Sequence, residues 1–430
     1  MLWIILLCTI IAILIILLIF YSFVYEVTNF KLSEVNIYIT DNSDGSKGED
    51  GGRGVDNAEC QYGRSCRDSV DSVRCADDGQ VSDDWHDDNY GQSSSNNWHG
   101  DDCGQKSDKS DYRQGRSQDE PAAGVADEPL LTILHLSDFH LRKNYKGRKL
   151  SEFVKSLSRL EPDFIFITGD LLGGGRSGSI DNLIDMLSHL KAKHGKYAVL
   201  GVHDYYDKAF IEFVKNMFKR KREYKKENDI SYLAKRLNEI GIEILINEKR
   251  LFEMDNDKSN SGINGIEIIG LGDPVINKMD INKAFSTRNN SSSTSVNNNF
   301  KDLHLQDKAA YAIAYRDVFK LNEKKVHTLN EKGKLRIALI HTPDNDSIIS
   351  LAKRNTDIIF CGHTHGGQVR LPFIGAVISG CKLKTKFASG LFYFENTVLY
   401  VTRGLGEGKY SPFRFYCQPE ASLINIYKYI

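Results

Sequence analysis

Short apolar segments alternate with longer amphipathic ones through most of the chain, and this alternation constrains the fold more than any other feature. The segments Thr132–Leu136, Asp163–Thr168 and Tyr197–Leu200 are typical of buried strands. The amphipathic segments between them, Lys149–Leu160 and Ile180–Lys193, are typical of helices. Strands and helices that alternate in this way predict parallel βαβ units.

A second set of predicted strands follows, and several of its members are close enough in sequence to form antiparallel pairs. The set comprises Ile242–Asn247, Lys249–Glu253, Gly265–Gly270, Arg336–Ile340, Thr356–Phe360, Thr397–Val401 and Ser422–Ile426. The polar segment Thr287–Asn299 interrupts it and is predicted to be a surface loop. The chain is therefore expected to form an α/β domain with mixed sheets over residues 129–430.

The first 25 residues predict a transmembrane anchor. Leu2–Val24 carries no charge and exceeds the roughly 20 residues that cross a bilayer as a helix. Tyr21 and Tyr25 suit the membrane interface. A cleaved signal peptide would instead show a basic start and a small-residue cleavage site, which this segment lacks. The side of the membrane stays open, because Lys31 is the one basic residue close to the segment.

Residues 26–40 are expected to lead into the domain or to form its first strand, since Lys31–Thr40 ends in alternating apolar and polar residues. Residues 41–128 are rich in Gly, Ser, Asp and Asn and poor in apolar residues, which predicts a disordered polar insert. His86 and His99 lie among aspartates in this insert, where weak metal binding is the alternative to plain solvation. Four of the eight cysteines also fall there, and whether they pair depends on the compartment.

Composition excludes two classes of protein. The formal net charge is -1, whereas a protein that coats nucleic acid needs a dominant basic surface, so no nucleic-acid partner is expected. No two cysteines show the CxxC spacing of a zinc finger. The hydrophobic share of 41% is enough for a full-sized core.

Asp and His residues follow five of the predicted strands directly. They are Asp138 and His140, then Asp170, then His203 and Asp204, then His341, and finally His363 and His365. Because the carboxyl ends of strands in an open α/β sheet meet at one edge, we expect these side chains to converge there. Carboxylates and imidazoles together suit zinc, manganese or iron. Two such ions about 3.5–4 Å apart can clamp a phosphoryl group.

Each of these motifs is weak alone, but their order along the chain resembles the calcineurin-like metallophosphoesterase superfamily. The motifs are D-x-H, G-D, G-x-H-D, a lone H and G-H-x-H, over residues 130 to 430. The N-terminal span, the run GHTHGGQVRLP and the ending VTRGLGEGKYSPFRFYCQPE are similar to the membrane-anchored bacterial branch, related to UDP-2,3-diacylglucosamine hydrolases of lipid A biosynthesis. The resemblance implies a four-layer αββα sandwich of mixed sheets and a phosphodiesterase or pyrophosphatase activity that uses a metal-activated hydroxide.

The resemblance also implies residue roles. It places one divalent ion on Asp138, His140, Asp170 and His365, and a second on Asp170, His341 and His363. It makes His203 the catalytic histidine, with Asp204 beside it. Mn, Zn and Fe all stay open as the metal.

Val202 departs from the family pattern, which has an Asn ligand of the second metal at this position. Valine has no donor atom, so we expect weaker occupancy of the second site rather than its loss. The alternative is a weakly active or non-catalytic metal-binding scaffold.

Substrate contacts are less constrained by the sequence. Arg370 and Arg403 are candidates for binding a phosphate, with a surface salt bridge as the alternative for each. The anchor favours a lipid-linked phosphoester substrate. The basic segment 214–228 predicts a solvated helix face, or else a surface for anionic headgroups or a cap over the cleft. His135 is expected in the core, and His189, His194, His304 and His327 are expected to be structural or exposed.

Overall fold

The computed structural model describes residues 2–40, 128–142, 147–173, 177–207, 224–254, 263–286, 326–331, 333–394, 396–408 and 410–429, together with residues 212 and 215. The predicted insert up to residue 127, the predicted loop at 287–299 and most of the basic segment 214–228 lie outside these residues. The same holds for His304.

The described strands, in chain order, are β1 Lys31–Thr40, β2 Leu131–Leu136, β3 Phe164–Thr168, β4 Gly195–Val199, β5 Ile242–Ile244, β6 Glu248–Glu253, β7 Gly265–Gly270, β8 Val326–Thr328, β9 Lys334–Ile340, β10 Ile358–Cys361, β11 Arg370–Leu371, β12 Gly375–Ala376, β13 Gly390–Phe394, β14 Thr397–Val401 and β15 Glu420–Lys428. The described helices are α1 Leu2–Phe20, α2 Gly147–Ser156, α3 Ser177–Ser188, α4 Val202–Tyr205, α5 Ile230–Glu239, α6 Ile281–Phe285 and α7 Asn345–Ala352.

Two mixed sheets form the centre of the fold. The first has the strand order β5-β4-β3-β2-β15-β1-β8, and the second has the order β13-β14-β10-β9-β7-β6. In the first sheet, β2 to β5 run parallel, as expected for βαβ units, and β15 pairs antiparallel with β2. In the second sheet, antiparallel edge strands β13 and β6 flank four parallel strands. A separate hairpin pairs β11 with β12.

Three apolar clusters order these elements into four layers. One joins the outer face of the first sheet to helices α2, α3 and α5, through residues such as Ile165 and Leu183. The second lies between the sheets, where Phe166 of β3 contacts Phe360 of β10. The third joins the outer face of the second sheet to α6 and α7. This arrangement is the predicted αββα sandwich. Successive side chains of a strand point to opposite faces of its sheet, so each sheet packs against one apolar cluster on each face.

The ligand-bearing strands divide between the two sheets. β2, β3 and β4 belong to the first sheet, whereas β9 and β10 belong to the second. The expectation that all five strand ends share one edge of one sheet is therefore wrong. Because the sheets pack face to face, the carboxyl ends of both reach the same end of the sandwich.

The N-terminal helix α1 is uncharged and largely exposed. With the turns that follow, Leu6–Thr28 is long and apolar enough to cross a membrane, and no other helix among the described residues is. The chain then turns through Glu26–Thr28 and enters the first sheet as β1, which pairs parallel with β15.

Candidate metal centre

The turns after the strands hold the predicted ligands in a backbone conformation that side chains rarely adopt. Positive φ angles between 46° and 69° occur at Asp138, His140, Asp170, His363 and His365. Holding a non-glycine residue in this left-handed region costs free energy, and such residues cluster at functional sites. The turns therefore aim side chains inward at the expense of local backbone strain.

The first donor group joins the end of β2 to the segment after β10. The Nε2 atoms of His140 and His365 lie 3.0 Å apart. Oδ1 of Asp138 lies 3.9 Å from His140 Nε2 and 3.6 Å from His365 Nε2. All three side chains are buried, so three ligand atoms face one small volume away from solvent.

The second donor group joins β3, β9 and β10. Oδ2 of Asp170 lies 3.1 Å from Nε2 of His341, which lies 3.2 Å from Nδ1 of His363. The same Asp170 oxygen lies 3.5 Å from Nε2 of His140 in the first group. Asp170 therefore stands between the two groups, as a bridging carboxylate would.

Backbone carbonyls orient two of the imidazoles toward these groups. Nδ1 of His341 lies 2.6 Å from the Thr168 carbonyl oxygen, and Nδ1 of His365 lies 3.0 Å from that of Gly406. A carbonyl accepts hydrogen bonds, so each Nδ1 donates its proton to the carbonyl and each Nε2 faces its donor group, where its lone pair can bind a metal ion once that nitrogen is deprotonated. Metal-binding histidines are typically held this way. The donor set fits two divalent cations that prefer nitrogen and oxygen ligands.

Burial and charge perturb the pKa values of these groups. Burial raises the pKa of Asp138 to about 6. Burial would also raise the pKa of Asp170, but the neighbouring histidines, His341 foremost, hold it well below its usual range. For His341 burial acts downward, yet the charges of Asp170 and Asp138 raise its pKa to about 10. Several carboxylates buried together create a negative field that a divalent cation would neutralise.

His203 lies beside both donor groups. Its backbone N–H donates to Oδ1 of Asp170 at 2.8 Å, and its ring centroid lies 4.7 Å from that of His140. The ring is half-buried and offers a nitrogen within 4.8 Å of ligand atoms of both residues. Gly201 permits this approach, because a Cβ at that position would overlap the Asp170 carboxylate. The His203 ring therefore lies at the edge of the same group of ligand atoms.

The residues on either side of His203 serve the local fold. Asp204 is fully buried, and its two oxygens accept the backbone N–H groups of Gly201 and Leu172, each at 3.0 Å. Burial raises its pKa to about 7, and the charge of Asp170 adds to this. Val202 is fully buried in the apolar cluster between the first sheet and its helices. The position where the family has an amide ligand thus carries a core side chain.

The two candidate substrate arginines lie on segments next to the centre. Arg370 is half-buried and donates to the Gly366 carbonyl oxygen at 3.0 Å and to Oγ of Ser389 at 3.3 Å. Arg403 is partly exposed, and its Nε lies 3.8 Å from Oε2 of Glu420. Both therefore have protein partners in this structure.

Sequence reasoning missed two residues that support the centre. Asp273 follows β7, is fully buried and helps to raise the pKa of His341. The rule that ligand-type residues follow strands would have found it at the end of Gly265–Gly270. Arg414 is fully buried and donates to the carbonyl oxygens of Arg403, Gly404 and Gly406, the last of which orients His365. Arg414 lies in the run VTRGLGEGKYSPFRFYCQPE, but its contacts with these carbonyls are not visible in the sequence.

The remaining described histidines follow their predictions. His135 is buried against Phe360 and Tyr400, inside the core. His327 is buried with its Nε2 3.0 Å from Oδ1 of Asp357, while His189 and His194 are exposed.

Sequence comparisons show which known proteins this chain is similar to. The sequence model of the calcineurin-like phosphoesterase family matches residues 131–367. The UDP-2,3-diacylglucosamine pyrophosphatase LpxG of Chlamydia muridarum is 27% identical over 305 residues, covering 69% of this chain and 83% of that protein. The protein of the same name in Chlamydia trachomatis serovar D is 27% identical over 323 residues, with the same shares. The phosphodiesterase YaeI of Escherichia coli K12 is 33% identical over 91 residues, covering 21% of this chain and 32% of that protein.

Among solved structures, a dimetal phosphatase from Danio rerio covers 65% of this chain and 88% of its own, with 10% identity and a TM-score of 0.32. The family match spans more than half of the chain and contains both donor groups. This chain is therefore a hydrolase that belongs to the calcineurin-like phosphoesterase family.

Proposed function

We propose that the chain is a membrane-anchored enzyme that hydrolyses a phosphate ester or pyrophosphate bond at a two-metal centre. The observation that carries this proposal is the position of Asp170 Oδ2, 3.5 Å from His140 Nε2 and 3.1 Å from His341 Nε2. One carboxylate oxygen between two clusters of nitrogen and oxygen donors can hold two ions close enough together to clamp a phosphoryl group for in-line attack.

Each donor group would hold one ion. Asp138, His140, His365 and Asp170 would hold the first, and Asp170 would share the second with His341 and His363. Divalent ions bound there would lower the pKa of a water molecule and offset negative charge on the phosphoryl oxygens. Mn, Zn and Fe all suit these donors.

His203 is proposed to deliver a proton from its imidazole to the leaving oxygen. Its half-buried ring lies beside His140, while its backbone is fixed by the bond to Asp170. Asp204 is proposed to act through His203, since it ties Gly201 to Leu172 and so fixes the turn that carries the ring. Arg370 and Arg403 are proposed substrate contacts, which requires each to turn from its present partner to a phosphate oxygen.

The second ion is expected to bind more weakly than the first. Asp170, His341 and His363 supply three donors, and the buried side chain of Val202 supplies none. Metal titration of Val202→Asn tests this expectation, because an added amide oxygen would strengthen the second binding step. Equal stoichiometry and affinity in the two forms would contradict it.

The proposed substrate is amphiphilic, with UDP-2,3-diacylglucosamine as the first candidate. Two relatives bear that substrate in their names, and both align over 69% of this chain. An uncharged helix at the start of the chain would keep the domain beside a membrane, where such a substrate resides. The proposed location is therefore the membrane, through a single N-terminal span.

The test uses the full chain in detergent micelles with added manganese. We expect hydrolysis of bis-p-nitrophenyl phosphate and of UDP-2,3-diacylglucosamine, and a loss of about 10²–10⁴-fold in rate for His203→Ala, the usual effect of removing a general acid. His189→Ala is the matched control, since His189 is exposed on the surface. Unchanged metal content in His203→Ala supports a proton donor, whereas a lost ion makes His203 a ligand.

Two results would overturn this assignment. Near-normal turnover by His203→Ala would remove His203 from the mechanism. No turnover of any phosphoester by the metal-loaded wild-type chain would favour the non-catalytic scaffold. The structural argument for that alternative is that the buried side chain of Val202 supplies no ligand to the second metal.

A further inference from the structure

An exposed apolar hairpin lies directly after the metal-ligand segment. It comprises residues 370–378, in which β11 pairs antiparallel with β12 around a tip at residues 372–374. We propose that this apolar hairpin inserts into the surface of an anionic lipid bilayer and so sets the metal centre at the headgroup level. The proposal rests on the membrane anchoring proposed above.

The exposed surface of the hairpin is made of large apolar side chains. They are Leu371, Phe373, Ile374, Val377 and Ile378. Phe373 at the tip is 109% exposed, so it gains no burial from the protein itself, and Ile374 beside it is 73% exposed. A contiguous exposed apolar patch marks a surface that meets a protein or a membrane.

The backbone of the tip indicates that Phe373 has a use beyond turning the chain. Its φ is +66°, in the left-handed region that glycine or asparagine would occupy without penalty. The tip is closed by the Ile374 N–H, which donates to the Pro372 carbonyl oxygen at 2.8 Å. A strained backbone that holds a bulky ring in full contact with water is explained if the ring is buried in a binding partner.

The hairpin is structurally continuous with the N-terminal helix, which is the reason to choose a membrane over a protein partner. At the end of that helix the Tyr21 ring lies 5.8 Å from the Phe415 ring, and the Phe23 ring lies 5.1 Å from the Phe413 ring. Phe415 also pairs with the base of the hairpin, because its carbonyl oxygen accepts the Arg370 N–H at 2.9 Å. A helix that crosses the bilayer would therefore bring the hairpin to the same membrane surface.

Charge next to the hairpin favours an anionic surface. Lys382, Lys384 and Lys386 follow it at alternate positions, and all three are exposed. Lysines at the membrane surface are attracted to anionic headgroups. An apolar tip with a basic rim is the pattern of a segment that lies in the interface.

Insertion would act on the metal centre through direct contacts. Nε2 of His363 lies 3.4 Å from the carbonyl oxygen of Gly380, just beyond the hairpin. Gly367, next to the ligand segment, leaves no room for a Cβ because Ala376 of the hairpin packs against it. A substrate whose acyl chains lie in the bilayer holds its phosphate ester at the headgroup level. That phosphate ester would then reach the metal centre while the acyl chains stay in the bilayer.

Photo-crosslinking in vesicles tests the proposal. The full chain carries Phe373→p-benzoylphenylalanine and is reconstituted into phosphatidylcholine and phosphatidylglycerol with alkyne-labelled acyl chains. The control carries the same residue at Leu251, which is 66% exposed on the edge strand β6. We expect about tenfold more lipid adduct at position 373, since removing an aromatic ring from water shifts a partition by roughly that factor or more.

A kinetic measurement tests the same proposal without p-benzoylphenylalanine, in case the chain that carries this residue does not fold. The double variant Phe373→Ser with Ile374→Ser is expected to raise the KM for vesicle-held UDP-2,3-diacylglucosamine and to leave hydrolysis of soluble bis-p-nitrophenyl phosphate unchanged. Leu251→Ser is expected to change neither.

The outcomes separate this inference from the anchoring on which it rests. Equal adduct at positions 373 and 251 in a chain that stays with the vesicles after an alkaline wash overturns the hairpin proposal alone. A wild-type chain that the wash removes from the vesicles overturns both.

Discussion

Substitution of Asp204 by alanine should destabilise the protein far more than loss of an ordinary capping carboxylate. Asp204 is fully buried, and its oxygens accept the N–H groups of Gly201 and Leu172, each at 3.0 Å. Alanine leaves both N–H groups buried without these acceptors. Each unsatisfied group costs about 1–3 kcal/mol, so the loss of unfolding free energy is roughly 2–6 kcal/mol.

The raised pKa of Asp204 places the expected loss in the lower half of that range. Burial and the charge of Asp170 raise the pKa to about 7, which means that holding the charged carboxylate in this site itself costs free energy. Because the folded-state pKa lies above the unfolded value, the stabilisation is largest below pH 4 and declines as the pH rises through 7. We therefore expect a loss of about 2–4 kcal/mol near neutral pH, and a larger one at pH 5 than at pH 8.

Urea denaturation of the metal-free full chain in detergent micelles, followed by circular dichroism, measures this loss. Asp229→Ala is the matched control, because Asp229 caps helix α5 at the surface and accepts the Tyr232 N–H at 3.0 Å. Removing such a cap costs about 1 kcal/mol. If Asp204→Ala were no more destabilising than Asp229→Ala, the claim that Asp204 fixes the His203 turn would be refuted.

Two further predictions concern the donor groups. Arg414→Met should lower the affinity of the first donor group for its metal ion by about 10–100-fold in a metal titration, because the Gly406 carbonyl that orients His365 loses its hydrogen-bond donor. Arg148 is exposed, so Arg148→Met should leave this affinity unchanged. In the metal-free protein the pKa of His341 is raised to about 10, so its protonated form contributes stability that is fully present below pH 6.5 and lost as the pH rises through 10. Metal addition at pH 8 should therefore release about one proton from His341, measurable by calorimetry in buffers of different ionisation enthalpy, and no release would contradict the shift.

Much of the fold could be predicted because its signals are local. The buried strands β2, β3, β9 and β10 are short apolar runs, and each is followed by a turn that carries ligand-type residues. An apolar strand followed at once by ligand-type residues can be recognised in the sequence, since the strand end and the turn residues are neighbours along the chain. The positive φ angles at Asp138 and Asp170 were not visible, although they direct those side chains inward.

The division of the ligand strands between two sheets could not be predicted from local patterns. β4 and β9 both read as buried strands, yet β4 pairs with β3 and β9 pairs with β7 and β10. Pairing depends on contacts between residues far apart in the sequence, and an apolar strand does not encode its neighbour.

The supporting residues escaped prediction for a related reason. Arg414 acts through backbone carbonyls, among them those of Arg403, Gly404 and Gly406, and these contacts cannot be read from the sequence. The apolar hairpin was also missed, because nothing in the sequence shows that Phe373 and Ile374 lie at an exposed tip.

The central claim is that two metal ions share Asp170, and anomalous diffraction from manganese-loaded crystals tests it most directly. The account predicts two anomalous peaks about 3.5–4 Å apart on either side of the Asp170 carboxylate. The stronger peak should lie with Asp138 and His365, and the weaker with His341 and His363. A single peak, or two peaks that do not both contact Asp170, would contradict the account.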